Sequence, residues 1–311
     1  MRTLVTGGAG FVGANLCRVL VEQEHDVLVL DDLSTGYRSN LEDLGATLRV
    51  GSILDADLLA ELADGVDAIV HLAARGSVPR SVADPATTNE INVTGTLNVL
   101  QSAREVNAHV VVASSSSVYG SNPAIPKHEG IVPEPMSPYA VSKLATESYG
   151  IAFQKTYDLD TLVFRFFNIF GPLQSARHPY AAVIPCFLSA LLDGEHLTLF
   201  GDGRQSRDFT SINSVTRILA DAVARRVTHD RPVNLAFGTS TTLLELIKHL
   251  EGISGRSAVV DRLAASVGDI RASQADNAVL RSLFPEAVPD SLDEGLRNTL
   301  SWFVETDAKQ W

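Results

Sequence analysis

Two side chains capable of proton chemistry stand four residues apart in the segment SPYAVSK. Tyr139 and Lys143 fall on a predicted helix, where residues at i and i+4 project from the same face. A tyrosine hydroxyl titrates at about pH 10, but an ammonium and a second positive charge nearby would favour the phenolate and lower its pKa. A phenolate is a usable general base toward an alcohol. Taken alone, the pair also fits a half-exposed tyrosine beside a solvated lysine.

A run of serines precedes this helix. The apolar stretch HVVVA ends in Ser114, Ser115, Ser116 and Ser117. Neutral hydroxyls donate and accept hydrogen bonds, but they cannot serve as general acid and base near neutral pH. Serine-rich strand ends are common, so the run gains meaning only if it lies beside the tyrosine and the lysine.

A glycine-rich loop follows the first predicted strand. In TGGAGFVG, Gly7, Gly10 and Gly13 occupy the three spaced positions, and a helix is predicted to begin at Phe11. Glycine at these positions permits a tight turn, close approach of the backbone to a pyrophosphate and close helix packing. The N terminus of the helix then faces the negative charge. The loop predicts a dinucleotide site.

An acidic residue completes the dinucleotide pattern. Asp31 ends the second predicted strand, VLVLD, about 20 residues after the loop, where a carboxylate accepts hydrogen bonds from the adenosine ribose. The same carboxylate would repel a 2′-phosphate, and no arginine follows it until Arg38. The sequence therefore favours NAD over NADP. A flexible turn and an incidental surface aspartate would explain each feature separately, but not the two together.

The elements that would position these residues alternate along the chain. Short runs rich in β-branched residues predict six strands: RTLVT, VLVLD, LRV, AIVHL, HVVVAS and TLVFRF. Helices are predicted between them at 11–23, 55–63, 86–106 and 138–157. Such alternation is typical of parallel βαβ units with both sheet faces covered. The predicted fold is α/β, a Rossmann-type doubly wound parallel sheet with a smaller mixed α/β substrate domain.

The pattern changes after Phe167. Loops rich in Pro, Gly and Arg follow, with predicted helices at 180–193, 211–226 and 241–251. We therefore expect residues 1–167 to form an NAD-binding domain, to which a segment near 208–236 returns. Residues 168–311 would mainly bind the substrate, and the two parts would pack around a cleft.

Composition excludes several other classes of protein. The chain has 311 residues and a net charge of −12, which disfavours a nucleic-acid or anionic-membrane surface. No apolar run reaches the roughly 18 residues of a membrane helix, and glycines begin too early for a signal peptide. Cys17 and Cys186 are expected to be buried thiols, and the eight histidines lack metal-ligand spacing, so no metal is expected. We expect a cytoplasmic protein.

Together the motifs resemble the extended short-chain dehydrogenase/reductase family, and within it the UDP-sugar 4-epimerases. The matching segments run in order from residue 1 to about 280: TGGAGFVG, LDDLSTG, HLAARGSVPRSVADP, NVTGTLNVL, SSSSVYG, SPYAVSKLATE, RFFNIFGP, GDGRQSRDF and VGDIRASQAD. The resemblance implies that Tyr139 takes the proton of the sugar 4-hydroxyl while hydride passes from C4 to NAD. The 4-keto sugar would turn over and take the hydride back on its other face. NAD would then stay tightly bound.

The resemblance also implies individual roles. Ser115 would hydrogen-bond the reacting oxygen and complete the catalytic group with Tyr139 and Lys143. Besides that tyrosine and lysine, the implied cofactor contacts are Gly7, Gly10, Phe11, Val12, Asp31, Asp32, Ser34, Thr35, Gly36, Ser52, Ile53, Leu72, Ala73, Ala74 and Asn92. The implied substrate contacts, besides the serine and the tyrosine, are Ser116, Ser117, Asn168, Val183, Leu199, Phe200, Arg207, Asp269, Arg271 and Ser273.

Within the second set, the resemblance implies that Asn168 and Arg207 contact the diphosphate. For the arginine there is also a physical reason, because a guanidinium fork matches phosphate oxygens. Val183, Leu199 and Phe200 would lie near the uracil. The alternative for the arginine is a surface ion pair with Asp208, which follows it directly in the segment QSRDF.

The serine run separates the subfamilies of this resemblance. The similar 4,6-dehydratases carry an Asp-Glu pair at the positions of Ser116 and Ser117, and the UDP-glucuronate decarboxylases carry Glu at the second. Two neutral hydroxyls favour simple oxidation and return at C4. Asn168 also disfavours a glucuronate enzyme, because the similar glucuronate 4-epimerases tend to have Thr at this position.

Two positions depart from the family pattern. Ser266 stands where an arginine is usual on the diphosphate, and we expect Arg262 or Arg271 to replace that cation. Ser52 stands where an aspartate usually accepts from the adenine amine. Both substitutions remove a polar contact without removing the rest of either site.

A small residue at position 273 leaves room for a 2-acetamido group. This, with RGSVPRSVADP and PYAAVIP, favours UDP-GlcNAc and UDP-GalNAc, with UDP-Glc and UDP-Gal also accepted. One alternative is a UDP-glucuronate 4-epimerase, in which Ser116 and Ser117 hydrogen-bond the C6 carboxylate. Another is a non-catalytic NAD-binding sensor or scaffold, against which the complete catalytic group counts. The resemblance further implies a homodimer formed by the helices near 86–106 and 138–157.

Overall fold

The computed structural model describes residues 1–176, 181–264 and 271–306. In chain order, the strands in these ranges are β1 (Arg2–Thr6), β2 (Asp26–Asp31), β3 (Thr47–Val50), β4 (Ala68–His71), β5 (His109–Ser115), β6 (Thr161–Phe166), β7 (Asn168–Phe170), β8 (Leu197–Phe200), β9 (Ser206–Arg207), β10 (Phe209–Ser211), β11 (Val233–Leu235), β12 (Thr241–Thr242), β13 (Val260–Leu263) and β14 (Ala272–Ser273). The helices are α1 (Phe11–Glu22), α2 (Ala56–Ala63), α3 (Val78–Ala83), α4 (Pro85–Asn89), α5 (Gly95–Val106), α6 (Pro138–Tyr157), α7 (Val183–Asp193), α8 (Ile212–Ala224), α9 (Leu243–Ser254), α10 (Ala278–Leu283) and α11 (Leu292–Glu305).

The main sheet has seven strands in the order β11-β6-β5-β4-β1-β2-β3, and every neighbouring pair is parallel. The predicted α/β fold with a doubly wound parallel sheet is confirmed, and all six predicted strands belong to this sheet. The seventh strand, β11, has only three residues and was not among them. It enters from the later part of the chain and pairs with β6.

The alternation of side chains along the strands explains why both sheet faces are covered. Successive residues of a strand point to opposite faces. One face packs against α1 and α8, and its strand residues include Val5, Val29, Val70 and Val111. The other face packs against α2, α5 and α6 through the preceding residues, Leu4, Leu28, Ile69 and Val110. Full burial of each such side chain contributes roughly 1.5–3 kcal/mol.

The strand order places a crevice at one edge of the sheet. The chain enters at β1 in the centre, moves outward through β2 and β3, and then returns to the other side of β1 with β4. Ligands bind outside the carboxyl ends of the strands at such a switch point. The loops after β1, β2, β4 and β5 all leave the sheet at this edge, since the strands are parallel.

Two helical stretches frame the crevice. In the first, the single helix predicted at 86–106 is interrupted: α4 passes through one π-helical turn, Glu90–Thr94, into α5. In the second, Ser137 caps α6 by accepting a hydrogen bond from the backbone N–H of Ala140 at 3.1 Å, and Pro138 occupies the first helical position. This cap fixes Tyr139 in the first turn of α6.

A separate apolar cluster holds the later part of the chain together. Its buried side chains come mainly from α7, β8, α9 and α11, and include Phe187, Leu199, Leu246 and Leu296. Three small sheets surround it, in which β8 pairs with β13, β7 with β10, and β9 lies between β12 and β14. The division of the chain at residue 167 stays a prediction.

Two features typical of other classes of protein are absent from the described residues. None of the helices there is both long and apolar enough to cross a bilayer. Three or more potential metal ligands do not come together anywhere in the same ranges.

Candidate active site

The glycine loop after β1 has a backbone that side chains would disrupt. Gly7 has a φ of +72°, and a Cβ on it would lie 2.7 Å from the backbone nitrogen of Ala73. A Cβ on Gly13 would lie 2.2 Å from the carbonyl oxygen of Gly7. Helix α1 begins directly after Gly10, so its N terminus faces the crevice. The loop therefore offers bare backbone and a helix N terminus to an anionic ligand.

Asp31 at the end of β2 is held by the same loop. Its Oδ2 accepts a hydrogen bond from the backbone N–H of Ala9 at 2.9 Å, and its Oδ1 accepts one from Leu33 at 2.8 Å. Burial raises the pKa of this carboxyl, and the two backbone donors oppose the rise. A carboxylate has about four acceptor positions, so acceptor capacity remains for a ribose hydroxyl.

A cleft of about 550 Å³ runs along this edge of the sheet. Thirteen of the predicted cofactor residues line it: Gly7, Gly10, Phe11, Val12, Asp31, Asp32, Ser34, Thr35, Ser52, Ile53, Leu72, Ala73 and Ala74. Ser52 stands in this wall, where its hydroxyl caps a turn by accepting from the backbone N–H of Leu54 at 3.1 Å.

Two predicted cofactor residues lie behind the wall of the cleft. Gly36 packs so closely that a Cβ on it would lie 2.8 Å from the carbonyl carbon of Ala9. Asn92, in the π-helical turn, is 1% exposed. Its side chain accepts from the backbone N–H of Arg75 at 2.7 Å and donates to the hydroxyl of Ser142 at 2.9 Å. Both residues position the wall and do not line the cleft.

Sequence reasoning missed three polar residues of this cleft, Arg75, Arg80 and Thr87. The segment HLAARGSVPRSVADP directly after β4 could have pointed to the two arginines, because a loop at the carboxyl end of a central strand must border the crevice. Arg75 forms an ion pair with Asp84 at 2.8 Å.

The catalytic group lies beyond the cleft, around a cavity of about 390 Å³. Ser115 at the end of β5 and Tyr139 and Lys143 on α6 all line this cavity. The side chain of Ser115 interacts with the hydroxyl of Tyr139 and lowers its pKa. The ammonium of Lys143 donates to the carbonyl oxygen of Ala113 at 2.8 Å. The three predicted catalytic residues are thus brought together.

The cavity joins the dinucleotide cleft to the rest of the crevice. Phe11, Val12, Leu72 and Ala74 line both the cleft and the cavity. A ligand in the cleft can therefore reach the hydroxyl of Tyr139.

The pKa values of the catalytic pair reflect burial. Burial raises the pKa of Tyr139, and its interaction with Ser115 opposes the rise. Burial also lowers the pKa of Lys143, from 10.5 to about 8. In the polypeptide alone, desolvation disfavours the phenolate. The expected lowering of the tyrosine pKa depends also on the positive charge of an oxidised nicotinamide, so it stays a prediction.

A buried ion pair supports the serine strand from below. Arg165 on β6 donates to Glu147 on α6 at 2.6 Å and 3.0 Å, and both side chains are almost fully buried. Ser114 donates to the same carboxylate at 2.9 Å. Since unpairing either charge inside the protein is costly, this contact fixes β5 and α6 relative to each other.

The later part of the chain adds two cavities next to Tyr139 and Ser115. One, of about 830 Å³, contains Tyr139, Asn168, Val183, Phe200 and Arg207 in its lining. The other has about 330 Å³, and seven of its lining residues are polar: Ser115, Ser116, Ser117, Lys127, Asn168, Arg207 and Ser273. Nine of the predicted substrate residues therefore line these two cavities.

Other predicted substrate residues are not in these walls. Leu199 is fully buried in the apolar cluster around α7 and α9, since its strand turns that side chain inward. Arg271 is exposed and does not line the cavities; its carbonyl oxygen accepts from the backbone N–H of Ser206 at 2.9 Å. Asp269 and Ser266 lie outside the described residues.

The positions of Arg207 and Ser273 follow from one small sheet. The two residues face each other in the parallel pair of β9 and β14. The adjacent Asp208 is fully buried, and its carboxylate accepts from the backbone N–H groups of Gly238 and Ala275, both at 3.0 Å. This aspartate ties three segments together inside the protein, so the predicted alternative of a surface ion pair is wrong for it.

Lys127 and Phe167 are further cavity residues that sequence reasoning missed. A lone lysine in a loop such as AIPKHEG is usually solvated, so the sequence carried no signal for it.

Known proteins with the same architecture match this chain over nearly its whole length. A UDP-glucose 4-epimerase of Mycolicibacterium smegmatis is 36% identical over 310 residues, covering 97% of this chain and 98% of its own. The structure of a UDP-N-acetylglucosamine 4-epimerase from Methanobrevibacter ruminantium, in complex with UDP-N-acetylmuramic acid, superimposes with a TM-score of 0.93 at 36% identity, covering 98% of both chains. A Thermus thermophilus UDP-glucose 4-epimerase in complex with NAD has a TM-score of 0.89 at 30% identity, covering 98% of this chain and 99% of its own.

The cofactor suggested by these relatives fits the cleft. The loop can adopt its tight conformation only because Gly7 and Gly13 lack a Cβ, which would collide with neighbouring backbone atoms, and Asp31 retains acceptor capacity for a ribose hydroxyl. Residues 3–236 match the NAD dependent epimerase/dehydratase family. NAD is therefore the cofactor of this enzyme, and the resemblance seen in the motifs is confirmed. The chain belongs to the NAD-dependent epimerase/dehydratase family.

Proposed function

We propose that the protein is an NAD-dependent 4-epimerase of a UDP-hexose or UDP-N-acetylhexosamine. The observation that carries this proposal is the position of Ser115, Tyr139 and Lys143. They line one cavity that shares lining residues with the dinucleotide cleft on one side. On the other side it shares them with the cavity of about 330 Å³, hereafter the serine-lined cavity. A sensor or scaffold would need the cleft but not the catalytic group.

The catalytic residues would act on the sugar 4-hydroxyl. Bound NAD supplies the chemistry of accepting a hydride from C4 and returning it. Tyr139 removes the hydroxyl proton as its phenolate, and Ser115, which lines the same cavity, holds the reacting oxygen. Lys143, whose ammonium is anchored on the carbonyl of Ala113, supplies positive charge within the same cavity. The proton returns from Tyr139 when the 4-keto group is reduced.

The neutral serines support epimerisation over elimination. Removing water across C5 and C6 requires a general acid and a general base beside those carbons. Among the described residues that line the cavity of about 330 Å³, none is an aspartate or a glutamate. A sugar placed there can be oxidised and reduced at C4 but meets no carboxyl group for a second proton transfer.

The cavity of about 830 Å³ suits the nucleotide part of the substrate. Arg207 and Asn168 would bind the diphosphate, because both line this cavity as well as the serine-lined one. Phe200 is 45% exposed and, with Val183, offers an apolar surface to the uracil. Ser273 leaves room beside the sugar for a 2-acetamido group. The relatives named for UDP-glucose and for UDP-N-acetylglucosamine agree with this substrate class.

The test of this function is proton NMR of the anomeric region. Purified protein with NAD would be incubated separately with UDP-GlcNAc, UDP-Glc and UDP-glucuronate. A new anomeric signal of the C4 epimer is expected with UDP-GlcNAc and, more weakly, with UDP-Glc. A signal with UDP-glucuronate alone would favour a glucuronate 4-epimerase. No signal in any tube, with NAD shown to be bound, would contradict the proposal.

We also propose that the protein is a homodimer in which α5 and α6 of each subunit pack together. Two apolar side chains of α6 support this, because Val141 is 53% exposed and Tyr149 is 37% exposed. Light scattering after size exclusion would test it: a single peak at the mass of one chain would contradict the dimer.

A further inference from the structure

The serine-lined cavity contains a buried lysine to which the proposed mechanism gives no role. Lys127 is 4% exposed and lies in the same wall as Ser116 and Ser117. With Arg207, it gives the cavity two cationic side chains and no acidic one among the described lining residues. Arg207 has a role toward the diphosphate, whereas Lys127 has none.

The backbone of Lys127 is fixed opposite the strand that carries Ser273. Its N–H donates to the carbonyl of Gln274 at 2.7 Å, and its carbonyl accepts from the N–H of Asp276 at 2.8 Å. The amide of Asn234 donates to the same carbonyl at 2.8 Å. The lysine therefore does not belong to a freely moving loop, and its position relative to the cavity is set by three hydrogen bonds.

Its ammonium is incompletely satisfied. An ammonium has three N–H donors. Within the described residues, the side chain of Lys127 has one hydrogen bond, to the carbonyl oxygen of Asn122. Burial lowers the pKa of Lys127, and the more distant charge of Glu134 opposes the fall. A desolvated cation with spare donors is costly unless an acceptor reaches it.

A second donor in the cavity also lacks a partner. The hydroxyl oxygen of Ser117 is buried and makes no hydrogen bond within the described part of the chain. Buried polar atoms normally have a partner, and each exception calls for an explanation. Two side chains that line one cavity are thus each suited to an oxygen acceptor that the described part of the chain does not supply.

Building on the proposed function, we propose that Lys127 and Ser117 form a subsite for a carbonyl-type oxygen on a substituent of the sugar ring. The acyl oxygen of an acetamido group and the oxygens of a carboxylate share this chemistry. Because hydrogen bonds between two ionised groups are the stronger kind, Lys127 contributes more to binding a carboxylate sugar than a neutral one. Lys127 is on this view a specificity-determining residue that widens the substrate range toward anionic nucleotide sugars.

The experiment is calorimetric titration of the NAD-loaded protein with UDP, UDP-GlcNAc and UDP-glucuronate. Lys127→Met is expected to leave the Kd of UDP unchanged, because UDP has no sugar. It should weaken UDP-GlcNAc about tenfold and UDP-glucuronate about a hundredfold, as expected for hydrogen bonds to a charged group. Ser117→Ala should weaken both sugar nucleotides severalfold. The matched control is Lys155→Met, on the exposed face of α6, which should change none of the three constants.

Several results would overturn the subsite. Equal weakening of UDP and of the sugar nucleotides would assign Lys127 a purely structural role, and thermal unfolding would show whether the fold itself is damaged. Unchanged binding of all three ligands would contradict it, as would equal losses for the neutral and the anionic sugar. Binding is measured without turnover, so a selective loss in Lys127→Met combined with no epimer in the NMR tubes would reject the proposed function and retain the subsite.

Discussion

The dinucleotide cleft and the sugar cavity are built in different ways. The cleft is lined largely by the loops that follow β1, β2 and β4 at one edge of the sheet. The conformation of the first of these loops requires residues without a side chain at Gly7 and Gly13. The serine-lined cavity, which is proposed to hold the sugar and is named the sugar cavity below, combines side chains from five separate places in the chain, at residues 115–117, 127, 168, 207 and 273. The first site depends on local rules, and the second depends on how distant segments are held together.

The largest test of this difference is Tyr139→Phe, at the junction of the two sites. Loss of the phenol removes the general base, and turnover should fall about a thousandfold, within the usual range for such groups. The cleft is built without this hydroxyl, so NAD binding should stay within about twofold of wild type, a change of only some 0.4 kcal/mol. Initial rates by NMR and NAD titration measure the two effects.

Tyr149→Phe, two turns and more along the same helix, is the matched control and should leave turnover unchanged. Equal loss of NAD affinity and of turnover in the Tyr139 variant would mean that the two sites are not separable. Full turnover in that variant would remove Tyr139 from the mechanism.

The predictability of each site follows from the same difference. The dinucleotide role of TGGAGFVG and Asp31 could be predicted because a fixed spacing on one strand, turn and helix sets their geometry. The spacing of Tyr139 and Lys143 was readable because both belong to one helix. Lys127 was not, because its burial depends on pairing with residues 274–276, almost 150 positions away. Leu199 was assigned to the substrate by resemblance, which cannot tell which face of a two-sided strand is inward.

A second prediction concerns the cost of keeping Lys143 in the wall between the sites. Because its pKa falls from 10.5 in the unfolded chain to about 8, the unfolded chain binds more protons between these values. The free energy of unfolding therefore increases as the pH rises across this window. Below the window, the buried ammonium lowers the stability of the folded protein. In Lys143→Met the penalty is absent. The stability difference between this variant and wild type should change by about 3 kcal/mol from pH 7 to pH 10.5.

Urea unfolding of NAD-free protein at a series of pH values measures this difference. Lys143→Met should be relatively most stable at pH 7, and its advantage should decline above pH 8. Lys155→Met, which removes an exposed lysine of the same helix, is the matched control. A flat difference for Lys143→Met would show that burial does not shift its titration.

A third change acts on the cleft alone. The Cβ of Gly13→Ala would lie 2.2 Å from the backbone oxygen of Gly7, so the loop must shift. Displacements of this kind typically cost about 2 kcal/mol, which corresponds to roughly thirtyfold weaker NAD binding by titration. Gly252→Ala on α9 is the control, since a Cβ there would meet nothing within 4 Å. Unchanged NAD affinity in Gly13→Ala would mean that the loop does not hold the pyrophosphate.

The smallest expected effect concerns the sugar cavity alone. Ser273→Tyr would fill the space proposed for the 2-acetamido group, while Ser273 faces Arg207 across β9 and β14 and leaves the cleft untouched. The ratio of kcat/KM for UDP-GlcNAc to that for UDP-Glc should fall about tenfold, a discrimination that pocket size alone can supply. Ser301→Tyr, on the exposed face of α11, should not change the ratio.

Using a ratio separates the pocket from general damage, because a disturbed β14 would slow both substrates alike. If both rates fall and the ratio holds, Ser273 supports Arg207 through the strand pair and does not border the acetamido group. If the ratio falls and NAD affinity stays constant, the sugar cavity can be altered without the cleft. That result is what separate construction of the two sites requires, since side chains from distant segments can change one by one while the backbone of the glycine loop cannot.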